Sequence, residues 1–390
     1  MDNIVFIITD YGSFNNFLGE LAIALIGEGK KVNVICSRDK VIDIEDKYDY
    51  ISAGVNFYNV SFPRNFNLIL HYRVSAQIHR ILDSIDSDLI SVHFTTAIFT
   101  TLLKAKRKEK IVGTYHGVGY PMIDSFFKKN VFKIVELFTM KRLDEVWVLN
   151  RFDEELLISK FPNKIKLLPT KGLGCNLDVF DRRLFLNDIK DSLRATLQIR
   201  DQDFVILYTG RFVDFKGFDI VVKTLKYINQ VYPNLCVKLI TLGGRDKIHS
   251  TGLSEEEEYY FNNSGNIVNI GFTKDVAKYM SIADLFFFPS KKEGVPVCII
   301  EALSMEVPVI TYNARGCNDL IADNYNGRLL ELVDNYEEFG KLIVSLIENR
   351  DILESYRRNI YKDRELYSRL NFIKFQIQYF NKHGVANIRG

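Results

Sequence analysis

Short apolar runs alternate with helix-period segments from one end of this chain to the other. That alternation admits few folds. An apolar run without polar alternation must be covered on both faces, and covering both faces takes parallel strands joined by crossover helices. The runs at 4–8, 31–35, 89–93, 110–115, 145–149 and 165–168 read as strands of a first sheet. Those at 204–208, 237–241, 267–269, 285–288 and 309–312 read as strands of a second. With 390 residues there is chain enough for two such cores. Between the sets lies KGLGCNLDVFDRR, Gly-rich at first and without either period, which places a linker at 172–183. Beyond about residue 350 the pattern is helical and polar.

Composition narrows the class. Hydrophobic residues are 47% and charged residues 26%, a globular balance. A formal charge of +2 argues against a nucleic-acid binder held by bulk electrostatics. The five cysteines are scattered, with no C-x-x-C pair. A disulfide framework or a zinc site needs clustering, so reduced thiols in a cytoplasmic protein are expected. MDNIVFIITD lacks the basic start and long apolar core of a signal peptide and reads as a first buried strand. No stretch approaches the ~20 uninterrupted apolar residues of a spanning helix.

The chemistry concentrates in PSKKEGVPVCIIEALSMEVPVIT. A strand ends near Pro289, a polar loop carries Glu293 and Gly294, and Pro296 is expected to open a helix that holds Glu301 and stops before Pro308. Such a junction offers free amides and a positive dipole end to an anion. Two carboxylates beside it cannot bind phosphate; they accept hydrogen bonds from hydroxyls, as on a sugar or ribose. A second element, TGRFVDFKGFDIVVKTL, brings Arg211 and Lys216 to a Gly-rich strand–helix turn, where a guanidinium and an ammonium suit a diphosphate.

G-R-x4-K-G, then E-G-x6-E-A-L and P-V-I some eighty residues on, resembles the retaining family-four (group 1) glycosyltransferases of the GT-B fold. DSDLISVHF, GTYHGVG, DEVWVLNRFDEELL and NAR-GCNDLI-x4-NG stand in that family's order, so the resemblance covers nearly the whole chain. It implies two Rossmann-like domains facing each other across a cleft, 1–172 for the acceptor and 173–365 for the nucleotide-sugar, with a helix in 366–390 returning to the first. By position, Arg211 and Lys216 would neutralise the donor diphosphate. Glu301 would hold the ribose, Glu293 the donor sugar, and His116 would lie near its reactive side. Gly12, Gly210, Gly294, Val295, Val297 and Cys298 would line the donor. The family's double glycine before the first helix is here Gly12-Ser13, which puts the usual close approach at the second position in question.

The resemblance further implies retention of anomeric configuration, a UDP-linked donor that is a co-substrate, and no cofactor or metal. Asp86-Ser87-Asp88 and Asp201-Gln202-Asp203 match a metal-binding D-x-D, but both precede strands, where turn aspartates are common. The segment 104–142 carries ten Lys or Arg against three Asp or Glu. Within it Phe126, Phe127, Ile134, Leu137 and Phe138 lie among Lys128, Lys129, Lys133 and Lys141. This is either a core helix with a solvated basic face or an interfacial helix on an anionic membrane. The second reading gives a peripheral protein on the inner membrane face with a lipid-linked saccharide acceptor. A nucleotide-sugar epimerase and a non-catalytic partner subunit share the fold and stay open as alternatives. A nicotinamide oxidoreductase is disfavoured, because no G-x-G-x-x-G follows the first strand.

Overall fold

The structure, a computed structural model, describes residues 2–38, 47–63, 65–104, 107–333 and 335–384. The chain separates into two compact units, Met1–Pro169 with Leu370–Gly390, and Thr170–Arg369. The segment read as a linker belongs to the second unit. There the Cys175 amide donates to the Tyr367 carbonyl at 2.8 Å and the Arg369 amide to the Cys175 carbonyl at 2.8 Å. Of the basic segment, residues 105–106 lie outside the described residues, as does the chain end at 385–390.

The first unit runs β1 (Asn3–Asp10), α1 (Tyr11–Phe17), α2 (Gly19–Gly27), β2 (Lys31–Ser37), β3 (Asn56–Asn59), α3 (Leu68–Ser84), β4 (Leu89–His93), α4 (Thr95–Leu102), β5 (Lys110–Tyr115), α5 (Phe126–Arg142), β6 (Glu145–Val148), α6 (Arg151–Ile158) and β7 (Ile165–Leu167). The second runs α7 (Asn187–Thr196), β8 (Phe204–Phe212), α8 (Phe218–Val231), β9 (Val237–Arg245), α9 (Glu255–Asn263), β10 (Ile267–Gly271), α10 (Val276–Met280), β11 (Leu285–Phe288), α11 (Val297–Ser304), β12 (Val309–Tyr312), β13 (Gly327–Leu330), α12 (Tyr336–Glu348) and α13 (Arg350–Lys362). The last helix, α14 (Arg369–Gly384), packs in the first unit, with Phe380 against Phe6 and Tyr379 edge-on to Trp147.

Both sheets are parallel, ordered β3-β2-β1-β4-β5-β6-β7 and β10-β9-β8-β11-β12-β13. These are Rossmann-like orders, each reversing beside its first strand, between β1 and β4 and between β8 and β11. The central strands are buried on both faces, as their unbroken apolar runs require. The two strands absent from the sequence reading, β3 and β13, are four-residue edge strands, β3 exposed at both ends and β13 only half-buried in its middle, so no apolar run marks them. Strand β8 outruns its apolar run, pairing with β9 as far as Phe212 with Arg245.

Candidate active site

In open α/β sheets the ligand crevice forms outside the carboxyl ends of the strands at the point of reversal. In the second unit that point is flanked by the loops after β8 and β11. A short 3₁₀ turn, Asp214–Lys216, ends at Gly217, whose φ of +74° only glycine adopts readily. A Cβ there would lie 2.0 Å from the Pro289 carbonyl oxygen, so glycine is what lets the two loops meet. The Phe215 carbonyl joins them, accepting from the Lys291 amide at 3.0 Å, with the Ser290 hydroxyl oxygen 3.2 Å away.

This contact brings Lys216 and Glu293 together. The Lys216 ammonium pairs directly with Glu293 Oε1, which also accepts from the Ser290 hydroxyl at 2.7 Å. Lys216 Nζ also lies 5.7 Å from the centre of the Phe288 ring. Pro296 is the residue before α11 rather than its first residue, and no side chain caps that helix. Its opening amides, from Val297 and Cys298, are therefore available to an anion. Glu301 is half-buried further along α11. A third loop, after β12, closes on the second: Gly316 has φ +76°, and a Cβ there would lie 2.1 Å from the Gly294 carbonyl oxygen. Behind them, burial and the nearby Glu293 carboxylate push up the thiols of Cys298 and Cys317, the latter to about 12.

Arg211 stands apart from this pair. It is 53% exposed near the end of β8, bonds Asp246 Oδ2 at 2.5 Å and lies over the Phe215 ring. The Ile248 amide first, then Arg211 and His249, hold the Asp246 carboxyl down to about 2. Gly210 is a strand residue just before it. Ser290 and Asp246 escaped the sequence reading because a lone serine or aspartate in a loop carries no pattern.

The first unit arranges its reversal point differently. Gly12 and Ser13 lie not in a loop but in the opening turn of α1. Asp10 caps it, accepting from the Ser13 amide at 2.8 Å and the Ser13 hydroxyl at 2.9 Å. The serine standing for a glycine is thus bound into a helix cap, and Gly12 has no positive φ.

His116, just past β5, is half-buried. Its Nε2 is 3.2 Å from Nδ1 of the buried His93, whose Nε2 is 3.0 Å from the Ser91 hydroxyl. Burial pushes His116 down to about 3; burial and then His116 push His93 well down, so both rings are neutral. The loop after His116 is clamped by two buried carboxylates. Glu136 accepts from the amides of Gly119 (2.9 Å) and Tyr120 (3.0 Å) and from the Thr95 hydroxyl (2.8 Å), and Asp153 accepts from the Val118 amide (3.0 Å). Burial raises the Glu136 carboxyl.

Glu136 is on the inner face of α5 with Thr139 and Met140. The outer face is not core: Phe126 is 82% exposed, Phe127 77% and Ile134 69%. Leu137, by contrast, packs inward on the core, as the core-helix alternative expects. Phe66, Leu68, Ile69 and Tyr72 add exposed apolar surface around the start of α3, and the Phe66 ring contacts that of Phe132. The second aspartate of each D-x-D has structural partners. Asp88 accepts from the amides of Asp2 and Asn3, and Asp203 from the amide and guanidinium of Arg200. Among the described residues, no three His, Cys, Asp or Glu cluster as a metal site would require.

Comparison with known proteins now identifies the family. The family model described as Glycosyl transferases group 1 matches residues 189–363, and that described as Glycosyltransferase Family 4 matches residues 15–170. The chain belongs to this family of glycosyltransferases. This glycosyltransferase is 24% identical, over 82% of its length and 80% of the relative's, to the Escherichia coli UDP-Gal:alpha-D-GlcNAc-diphosphoundecaprenol alpha-1,3-galactosyltransferase. Its fold is similar to sucrose-phosphate synthase from Thermosynechococcus elongatus, with a TM-score of 0.78 at 18% identity, covering 98% of this chain and 100% of the other. HepE from Anabaena, solved with UDP and glucose, gives a TM-score of 0.76 at 16% identity, covering 98% and 100%. No helix among the described residues is long and apolar enough to cross a membrane.

Proposed function

We propose that this glycosyltransferase moves a hexose or N-acetylhexosamine from a UDP-sugar to a hydroxyl of a lipid-linked saccharide, with retention of configuration and without a metal ion. The observation that carries the reading is the Lys216–Glu293 pair at the reversal point, beside the uncapped amino end of α11. The names of two similar proteins support it: the Escherichia coli relative acts from UDP-Gal on a diphosphoundecaprenol-linked sugar, and the Anabaena structure holds UDP.

In this mechanism the donor diphosphate takes Lys216 from Glu293 and Arg211 from Asp246, and the amides of Val297 and Cys298 meet its oxygens. Glu293, released from the lysine, accepts from hydroxyls of the donor sugar, while Glu301 accepts from the ribose. The acceptor hydroxyl forms the new glycosidic bond on the face the diphosphate leaves, and its proton passes to a phosphate oxygen of the leaving group. No protein base is needed; the enzyme positions the reactants and stabilises the charge that builds on the diphosphate. His116 contributes a hydrogen bond to a substrate oxygen. Two cations and a helix terminus supply what a metal would, which fits the structural partners of Asp88 and Asp203.

The exposed apolar face of α5 and the start of α3, bordered by Lys128 and Lys129, fits an anionic bilayer surface that carries the acceptor. A panel of nucleotide-sugars, assayed for hydrolysis and transfer with and without EDTA, tests the donor and the metal. NMR of the product's anomeric proton tests retention. Absence of turnover on every nucleotide-sugar, with unchanged UDP binding in Glu293→Ala, overturns the reading. Failure of the protein to float with anionic vesicles overturns the membrane surface.

A further inference from the structure

Two buried side chains of β4, Ser91 in its middle and His93 at its end, have no task in the mechanism above, yet they form a chain leading to His116. We propose that Ser91 and His93 are positioning residues that lock His116 in its Nδ1–H tautomer, so that it serves as a hydrogen-bond donor to substrate and not as a base. The proposal rests on His116 being a substrate-contacting residue.

The Ser91 hydroxyl is fully buried, and among the described residues its hydrogen-bond neighbour is His93 Nε2, at 3.0 Å. If the hydroxyl accepted from an Nε2–H, its own hydrogen would be left without an acceptor, so it donates. His93 is neutral and 1% exposed; with Nε2 accepting, its single proton is on Nδ1. That Nδ1–H faces His116 Nε2 at 3.2 Å, which must then accept. The proton of the neutral His116 ring is therefore on Nδ1, for which no hydrogen-bond partner occurs among the described residues. Each proton assignment forces the next.

The rings around His116 keep it in this register. Phe94 has φ +67°, a conformation that non-glycine residues rarely hold without a reason. It lays its ring nearly parallel to the imidazole, with centroids 4.2 Å apart, and Phe17 approaches at 5.3 Å. A flip of the imidazole would take Nε2 away from His93. With Nδ1 already protonated, Nε2 engaged by His93 and the ring pushed down to about 3, His116 has no free basic site to offer an acceptor hydroxyl.

Long-range ¹H–¹⁵N NMR on the full-length protein reads each histidine tautomer directly and needs no substrate. The expected spectrum has His116 and His93 both protonated at Nδ1. Ser91→Ala removes the donor that starts the chain, so both rings redistribute towards Nε2–H, while Ser91→Thr keeps the native pattern. Nε2–H at His116 in the wild-type protein, or an unchanged pattern in Ser91→Ala, overturns the proposal. With a donor in hand, Ser91→Ala lowers kcat roughly tenfold with donor KM little changed, and Ser91→Thr restores it. An unchanged kcat in Ser91→Ala overturns the positioning role. Failure to turn over any nucleotide-sugar, with the tautomers as expected, counts against the transferase reading and leaves the relay standing.

Discussion

The two units build the same parallel sheet with the same reversal beside its first strand, yet they furnish that point in opposite ways. In the second unit the groups are paired charges: Lys216 holds Glu293 in a largely buried pair, and the more exposed Arg211 holds Asp246. In the first they are withdrawn from charge: burial pushes His93 and His116 down and Glu136 up. The difference separates two kinds of work. A cation that must exchange a carboxylate for a diphosphate needs water and room for the exchange. A group that only holds a loop or a proton position gains from burial, which fixes its partners and its protonation state.

The largest effect is expected where charge is exchanged. Lys216→Ala should lower kcat ~10²–10³-fold, the loss seen when one donor to a developing oxyanion is removed. Single-turnover kinetics with the identified donor measure it. A variant as fast as wild type would break the assignment of charge stabilisation to the second unit. Next comes the backbone that makes the pair possible. Gly217→Ala forces a Cβ against the Pro289 carbonyl at a φ of +74° and should cost about 2–4 kcal/mol in urea unfolding. Gly29 has a similar φ of +78° but open space around it, so Gly29→Ala should cost about 1 kcal/mol. Equal costs would mean that φ alone, and not loop contact, decides the position.

The contrast also explains what was legible in the sequence. Strands β4, β5, β11 and β12 were readable to the residue because their apolar runs end where burial ends. The second unit's site was readable because its charged residues recur at fixed distances around glycines, and a motif is a record of such loops. Most of the first unit's site was not. Ser91 and His93 lie in a buried strand and look like core; Glu136 looks like one acid on a basic helix. Their significance lies in contacts across 23 residues for His93 with His116 and 17 for Glu136 with Gly119. Gly12 was misplaced for a related reason: only the Asp10–Ser13 cap shows that helix α1 has already begun.

Acid separates the two units further, because the buried groups of the first are held neutral at a cost in stability. A histidine whose folded pKa lies below its unfolded value binds fewer protons folded than unfolded at mildly acid pH, so stability falls as pH drops below about 6.5 and continues to fall towards the folded pKa. For His116, pushed down to about 3, the loss between pH 7 and pH 5 is about 2 kcal/mol. Glu136 acts in the other direction: its raised carboxyl stabilises most when protonated, and that contribution is lost as pH rises through its folded value. Urea midpoints at pH 5 and 7 for wild type and His116→Gln isolate the histidine, since every other group is common to both. An acid-induced loss of the same size in the variant would show that the ring is not held neutral.

The smallest effect tests the exposed arm of the charged site. In the structure Arg211 is bound to Asp246, so a diphosphate must displace that carboxylate before it gains the guanidinium. Pairs this exposed contribute little, because water solvates both partners nearly as well as they solvate each other. Asp246→Ala should therefore lower the urea midpoint mainly through loss of the bond from the Ile248 amide, and tighten UDP binding by about twofold to fivefold, the range that breaking a weak competing pair allows. The Phe215 ring remains beneath Arg211 to hold it near the end of β8. Calorimetric titration with UDP reads the change. If binding weakens instead, Asp246 is not a competitor for Arg211 but a support that aims it, and the second unit then relies on fixed geometry in the manner of the first.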